Sequence, residues 1–244
     1  RGFDFYTGLI ASQLCSYTDW TYCEPGDSTK TPVILDAAIG TEAAKNVPGT
    51  YSTFYQKAQA QEVISGRASA GLKGGMFMYL AFNAMHTDLS VPDDFYDSEN
   101  YADLVTVDGM AMSNGRAKAA GAMYLCDQAI GALVETLKAN DMYENTIIAL
   151  ASDNGGSYHS SGSNYPYRGT KGLYSEGGIK VSAMIHSPLL SDAAKGSTYD
   201  GLFHVTDWVP TLLSAAGFDS DAVITGLGGE VDGVNQWDAL MNPA

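Results

Sequence analysis

Apolar positions along the chain fall into blocks of two different periods. No sustained periodicity appears before Thr53, and Thr53 to Ile64 then reads as a helix. The small-residue run Ser65 to Gly71 predicts an exposed connection. Met76-Phe77-Met78-Tyr79-Leu80-Ala81-Phe82 is continuously apolar and short, the pattern of a strand buried on both faces, and its end delivers Asn83, Met85 and His86. Apolar residues next recur at Met123, Cys126, Ile130, Leu133, Val134 and Leu137, a helical stripe closing at Lys138 and Asn140. A second buried strand, Thr146 to Ala151, runs straight into Ser152-Asp153-Asn154-Gly155-Gly156, and a third apolar segment, Ile179 to Ile185, follows Gly177-Gly178.

Strands separated by a long helix imply parallel pairing through right-handed crossovers, hence an α/β fold with a doubly wound, mostly parallel sheet flanked by helices. Ligands of such sheets sit beyond the carboxyl ends of strands, where both His86 and Asp153 fall. There is no internal repeat or low-complexity segment. A chain of 244 residues that is 45% hydrophobic is long enough for one α/β domain, or most of one, and residues 1–244 are read as a single domain.

Charge narrows the partners. Thirteen Lys and Arg against 28 Asp and Glu give a formal net charge of −15, which disfavours nucleic acid and anionic membranes and suits a divalent cation. No run is long enough for a transmembrane helix, and Arg1-Gly2-Phe3-Asp4 is unlike a signal peptide, as though the chain began in mid-domain. Cys15, Cys23 and Cys126 form neither a zinc pattern nor a disulfide framework, although Cys15 and Cys23 could pair in a secreted protein. Cys126, inside a helical stripe, reads as a small core residue.

Candidate chemistry clusters in two places. Asp153 and Asn154 put two oxygen donors on a glycine turn, the beginning of a calcium site or simply an ordinary turn. Arg168-Gly169-Thr170-Lys171, followed by Glu176-Gly177-Gly178 and Lys180, concentrates cations in a loop able to hold a sulfate or phosphate ester. His86 can donate to a substrate oxygen or serve as general acid. His159, His186 and His204 read as structural, and Asp207 as a cap or first-turn acid of the helix opening Trp208-Val209-Pro210-Thr211. Tyr158, Tyr165, Tyr167 and Tyr174 read as packing residues, with an aromatic or sugar-lining role as the alternative.

Taken in order, these segments resemble the calcium-dependent type I sulfatases of the alkaline-phosphatase superfamily, particularly the arylsulfatase B-like branch. Arg1-Gly2-Phe3-Asp4-Phe5-Tyr6-Thr7-Gly8 is similar to that family's RGFD-x-Y-x-G segment. Tyr79 to Leu89 is similar to its strand ending in P-H-T-P-L, with Met85 and Asp88 in place of prolines. Glu144-Asn145-Thr146 leading to Ser152-Asp153-Asn154-Gly155-Gly156, then Arg168-Gly169-Thr170-Lys171 and Glu176-Gly177-Gly178, follow the family order. Ser187-Pro188, His204 to Leu213 and Val231-Asp232-Gly233-Val234 continue it.

The resemblance implies that Asp153 and Asn154 are Ca2+ ligands. It also implies that Lys171 and His86 contact the sulfate, His86 assisting the leaving group, with Arg168 as a weaker substrate contact. It further implies a formylglycine nucleophile made from a cysteine in C-x-[PA]-x-R upstream of the RGFD segment, with an Asp pair completing the metal site. Cys23-Glu24-Pro25-Gly26-Asp27 has Asp27 where arginine belongs and lies on the wrong side of RGFD. The chain is therefore expected to be the middle to later part of a secreted, extracellular or lysosomal sulfatase, inactive alone and complete only with an N-terminal segment or companion chain. A sulfate-ester small molecule or sugar is the implied substrate. The alternatives are a phosphoesterase of the same superfamily and a non-catalytic acidic secreted or matrix protein that keeps the fold.

Overall fold

The computed structural model describes residues 50–72, 74–86, 89–108 and 110–243, together with the backbone of six short strands before them. Those strands are β1 (Thr7–Gly8), β2 (Leu14–Ser16), β3 (Thr21–Tyr22), β4 (Ile34–Leu35), β5 (Ala38–Ile39) and β6 (Glu42–Ala43), paired antiparallel as β1-β5-β6 and β2-β3-β4. Arg1-Gly2-Phe3-Asp4 and any pairing of Cys15 with Cys23 lie outside the described residues. The chain divides into two compact units, 1–143 with 151–183, and 144–150 with 184–244.

In the first unit, α1 (Ser52–Ser69) and α4 (Asn114–Ala139) form the central helix pair. The predicted helix at Thr53 to Ile64 is present, but it runs on through the stretch expected to be a connection and stops where Gly71 takes φ +59°, a left-handed terminus open to glycine at little cost. The buried residues of α4 are Ala117, Gly121, Ala122, Leu125, Ala129 and Leu137; of the predicted stripe Leu137 is thus buried, whereas Met123 is 56% exposed. Small residues let the helix backbones approach closely, and Ala60 and Ile64 of α1 are buried in the same unit. Gln61 Nε2 donates to Thr136 Oγ1 at 2.8 Å between the two helices.

Cys126 is half-buried on α4, and burial, with Asp127 adding to it, pushes its thiol up to about 11. It is therefore protonated at neutral pH and inert, as its position in an apolar stripe suggested. Between the long helices lie α2 (Asp93–Tyr96), α3 (Glu99–Leu104) and the hairpin of β7 (Thr106–Val107) and β8 (Met110–Ala111). The side chain of Tyr101 is buried against α4: a Cβ on Gly121 would come within 2.9 Å of its ring.

The run Met76 to Phe82 does not form the predicted strand. Residues 76–82 belong to no strand of the described ladders, and Phe77 and Tyr79 are 66% and 76% exposed. A continuous apolar run shows that a segment suits a buried strand, but a strand also needs a neighbour to take its amides and carbonyls. Gln56 of α1 reaches the segment, its Nε2 donating to Ala81 O at 2.8 Å and to Asn83 Oδ1 at 2.9 Å.

β9 (Ile148–Ala151) and β10 (Ala183–His186) are neighbours in a two-stranded sheet, with the short helix α5 (Glu176–Ile179) preceding β10. Neither strand is buried on both faces, since Leu150 is 43% and Met184 53% exposed. The second unit continues through α6 (Trp208–Ala215), α7 (Ser220–Gly226) and α8 (Trp237–Met241). Its organising polar group is Asp207, which does more than cap. The Oδ2 atom accepts from His204 N at 2.9 Å, closing a capping box over the turn Val205–Asp207, while Oδ1 accepts from Val234 N at 2.8 Å and so fixes a distant loop.

Candidate active site

The turn after β9 and the cationic loop are joined backbone to backbone. Gly155 N donates to Gly178 O at 2.9 Å, and Gly177 N donates to Arg168 O at 2.9 Å. Gly156 O is the hub: it accepts from Thr170 Oγ1 at 2.7 Å, Asn164 Nδ2 at 2.8 Å and Lys171 N at 3.3 Å. Asn164 returns the contact through Oδ1, which accepts from Gly156 N at 2.7 Å, and its Nδ2 also reaches Gly169 O at 3.1 Å. Asp-Asn-Gly-Gly, Arg-Gly-Thr-Lys and Glu-Gly-Gly are thereby one fixed assembly within the first unit.

Glycine is required at this junction because the backbones touch. A Cβ on Gly155 would stand 1.9 Å from Gly177 O, a carbonyl with no side-chain freedom to move aside. Gly155→Ala is accordingly expected to cost about 1–3 kcal/mol of stability by overpacking and to loosen both loops. Thermal unfolding checks this, with a lower melting temperature as the outcome.

On this frame Asp153 is exposed and Asn154 half-buried, and neither side chain has a hydrogen-bond partner among the described residues. Two hard oxygen donors on a fixed backbone fit Ca2+ or Mg2+ better than Zn2+, which prefers nitrogen and sulfur. Among the described residues no group of three His, Cys, Asp or Glu is placed to hold a metal.

The cations divide into two kinds. Lys180 is engaged, 3.9 Å from Glu176 and 4.8 Å from the centre of the Tyr167 ring. Arg168 and Lys171 are exposed and have no carboxylate partner among the described residues.

His86 stands in a separate turn, its N–H donating to Asn83 O at 3.1 Å, which Gln56 ties to α1. The residue before it, Met85, has φ +77°. Proline, fixed near −65°, could not adopt that angle, so this turn is built differently from the Pro-His pattern it resembles. His159 lies in the turn Tyr158–Ser160, His186 ends β10, and His204 Nδ1 is 2.9 Å from Thr206 Oγ1 as a local cap.

Two features of the site are not apparent from motif spacing. Asn164 is the cross-link between the two loops, and the only sequence signal for it is an Asx residue ahead of Tyr165-Pro166 in a Gly- and Ser-rich stretch. Of the four tyrosines expected to pack, Tyr158, Tyr165 and Tyr174 are 67%, 91% and 97% exposed, whereas Tyr167 is 39% exposed and lies under Lys180.

The sulfatase family model matches residues 1–218, and the chain belongs to the sulfatase family. It is 32% identical over 241 residues to arylsulfatase J of Mus musculus, covering 98% of this chain and 36% of that protein. It is 30% identical over 226 residues to the uncharacterized sulfatase YdeN of Escherichia coli K12, covering 88% and 33%. Among solved structures it is similar to Ps i-CgsB in complex with k-i-k-neocarrahexaose, with TM-score 0.70, 30% identity, and coverage of 85% of this chain and 42% of that one. The putative sulfatase yidJ from Bacteroides fragilis shares the fold at TM-score 0.63 and 19% identity, covering 85% and 45%. These neighbours accord with an α/β fold of the alkaline-phosphatase type. The chain spans 36% and 33% of the two curated relatives' lengths.

Proposed function

We propose that the protein to which these residues belong hydrolyses a sulfate ester, and that this chain supplies the sulfate-contacting and part of the metal-binding half of the site. The observation that carries the reading is the joining of the Asp153-Asn154 turn to the Arg168-to-Lys171 loop through Gly156 O, which fixes oxygen donors and unpaired cations on one frame. In this reading residues 1–244 are a fragment of one sulfatase-like catalytic domain whose sheet is doubly wound. An N-terminal segment or companion chain carries the remaining ligands.

Asp153 and Asn154 would hold Ca2+. Calcium and an upstream formylglycine would supply charge stabilisation and the nucleophile. The residues of this chain do the rest. Lys171 and Arg168 lie on the sulfate oxygens and offset their charge. As the ester S–O bond breaks, His86 donates its proton to the leaving oxygen. Zinc phosphoesterase chemistry is disfavoured by a turn in which Asp153 is followed by an amide and glycines and not by histidine.

The oligosaccharide bound by Ps i-CgsB supports a sulfated sugar as substrate, and the resemblance of the motifs to the type I sulfatases supports an extracellular or lysosomal setting. Among the described residues no helix is long and apolar enough to cross a membrane.

The metal assignment has a readout that does not depend on turnover. At a concentration a hundred times its Kd, a ligand stabilises the fold by about 2.7 kcal/mol. Chelated full-length protein should therefore gain melting temperature when Ca2+ is returned, and Asp153→Ala should lose most of that gain. An undiminished gain in the variant would remove Asp153 from the site.

A further inference from the structure

We infer that Gln56 is a positioning residue for His86: from α1 it clasps the segment that leads into the His86 turn and fixes the backbone from which the imidazole is presented. The inference rests on the reading of His86 as proton donor to the leaving oxygen and adds the residue that sets its place.

The turn needs a hold from outside itself. His86 N donates to Asn83 O at 3.1 Å, which closes the four residues Asn83 to His86. Met85, third of the four, has φ +77°, the left-handed value that a type II turn requires at this position and that glycine adopts most readily. A methionine there is strained, and such a conformation persists only where the surroundings over-determine it. Residues 76–82, which lead into the turn, belong to no strand of the described ladders, so no described strand pairing supplies that hold.

Gln56 supplies it from α1. Its Nε2 carries two hydrogens and both are used, on Ala81 O at 2.8 Å and on Asn83 Oδ1 at 2.9 Å. Ala81 O can only accept, which settles which end of the amide faces the segment. The other end, Oε1, is buried with no hydrogen-bond partner among the described residues. An unmet buried carbonyl is unfavourable, and an apolar side chain at this position of the helix would avoid it. The amide is therefore explained by its two donors and not by packing. Its base is firm: Gln56, Ala60 and Ile64 recur at four-residue spacing among the buried residues of α1, and Gln61 Nε2 donates to Thr136 Oγ1 of α4 at 2.8 Å.

The consequence is catalytic because proton transfer demands hydrogen-bond reach. As the ester S–O bond breaks, the imidazolium N–H proton of His86 must pass to the departing oxygen, and a displacement of about 1 Å can cost about 10²-fold in rate. The demand is largest for phenyl sulfate, whose basic leaving oxygen needs the proton, and smallest for 4-nitrophenyl sulfate, whose phenolate departs readily without it.

The test is Gln56→Met in the full-length protein, a change that keeps side-chain length and helix propensity while removing both donors. Amide hydrogen exchange over residues 81–86 should speed by about tenfold or more, with the amides of α1 and α4 unchanged. The kcat for phenyl sulfate should fall by about 10- to 100-fold and that for 4-nitrophenyl sulfate by no more than about twofold. In a His86→Ala background the same substitution should add no further loss, as expected of a residue acting through His86. Unchanged exchange over 81–86 would overturn the clasp. Equal losses for the two esters, tracking a lower melting temperature, would make Gln56 a residue of the fold alone. If His86→Ala itself shows no greater loss for phenyl sulfate than for 4-nitrophenyl sulfate, the proton-donor reading falls and the inference with it; that discrimination in His86→Ala without any in Gln56→Met overturns the inference alone.

Discussion

Lys171→Ala in the full-length protein is expected to lower kcat/KM for an aryl sulfate by about 10²- to 10³-fold, the usual cost of removing one preorganised group that stabilises developing charge. The side chain is exposed and has no carboxylate partner among the described residues, so its loss should move stability by no more than about 0.5 kcal/mol. Its backbone N–H, bonded to Gly156 O at 3.3 Å, is untouched by the substitution, and the loop should keep its shape. If the ammonium acts mainly on charge that develops in the transition state, kcat falls more than KM rises. Steady-state kinetics beside a thermal melt checks both halves. A large drop in melting temperature would reassign Lys171 to the fold.

Asp207→Ala should destabilise the second unit by about 3 kcal/mol, since it strands polar hydrogens that a buried carboxylate now satisfies. Asp207 is 5% exposed and accepts from His204 N, Val234 N and, at 3.3 Å, Gln236 Nε2. The loop it anchors has no slack, because a Cβ on Gly233 would stand 2.1 Å from Thr206 O. The amide hydrogen bonds from His204 and then Val234 hold the carboxyl below its usual range, against the opposing effect of burial. A depressed folded-state pKa contributes stability that is complete above the unfolded value, about 3.9, and is lost as pH falls through the lower folded value. Urea unfolding at pH 7 and again below pH 4 should therefore show a deficit for the alanine variant that shrinks on acidification. A deficit independent of pH would mean that the neutral contacts alone matter.

The long helices and the strand before Asp153 are legible in the sequence because each carries its own period. Which face they bury is not. Met123 belongs to the apolar stripe of α4 yet is exposed, because the close approach favours Ala122 and Ala129. Met76 to Phe82 shows the opposite limit: its composition is that of a buried strand, but a ladder partner is a non-local property that no period encodes.

The site divides in the same way. Adjacent residue types announce the Asp153-Asn154 turn and the Arg168-to-Lys171 loop, whereas their union depends on Asn164 and on Gly155 meeting Gly177, contacts made across the chain.

The central claim, that this assembly serves calcium-dependent sulfate-ester hydrolysis, is tested most directly by inorganic sulfate release from an aryl sulfate by the full-length protein. The assay is run after chelation, after Ca2+ is returned, and against the matching aryl phosphate. The account predicts sulfate release that falls on chelation, recovers with Ca2+, is lost in Asp153→Ala, and exceeds phosphate release. Preferential phosphate release supported by Zn2+, or sulfate release indifferent to chelation and to Asp153→Ala, would contradict it.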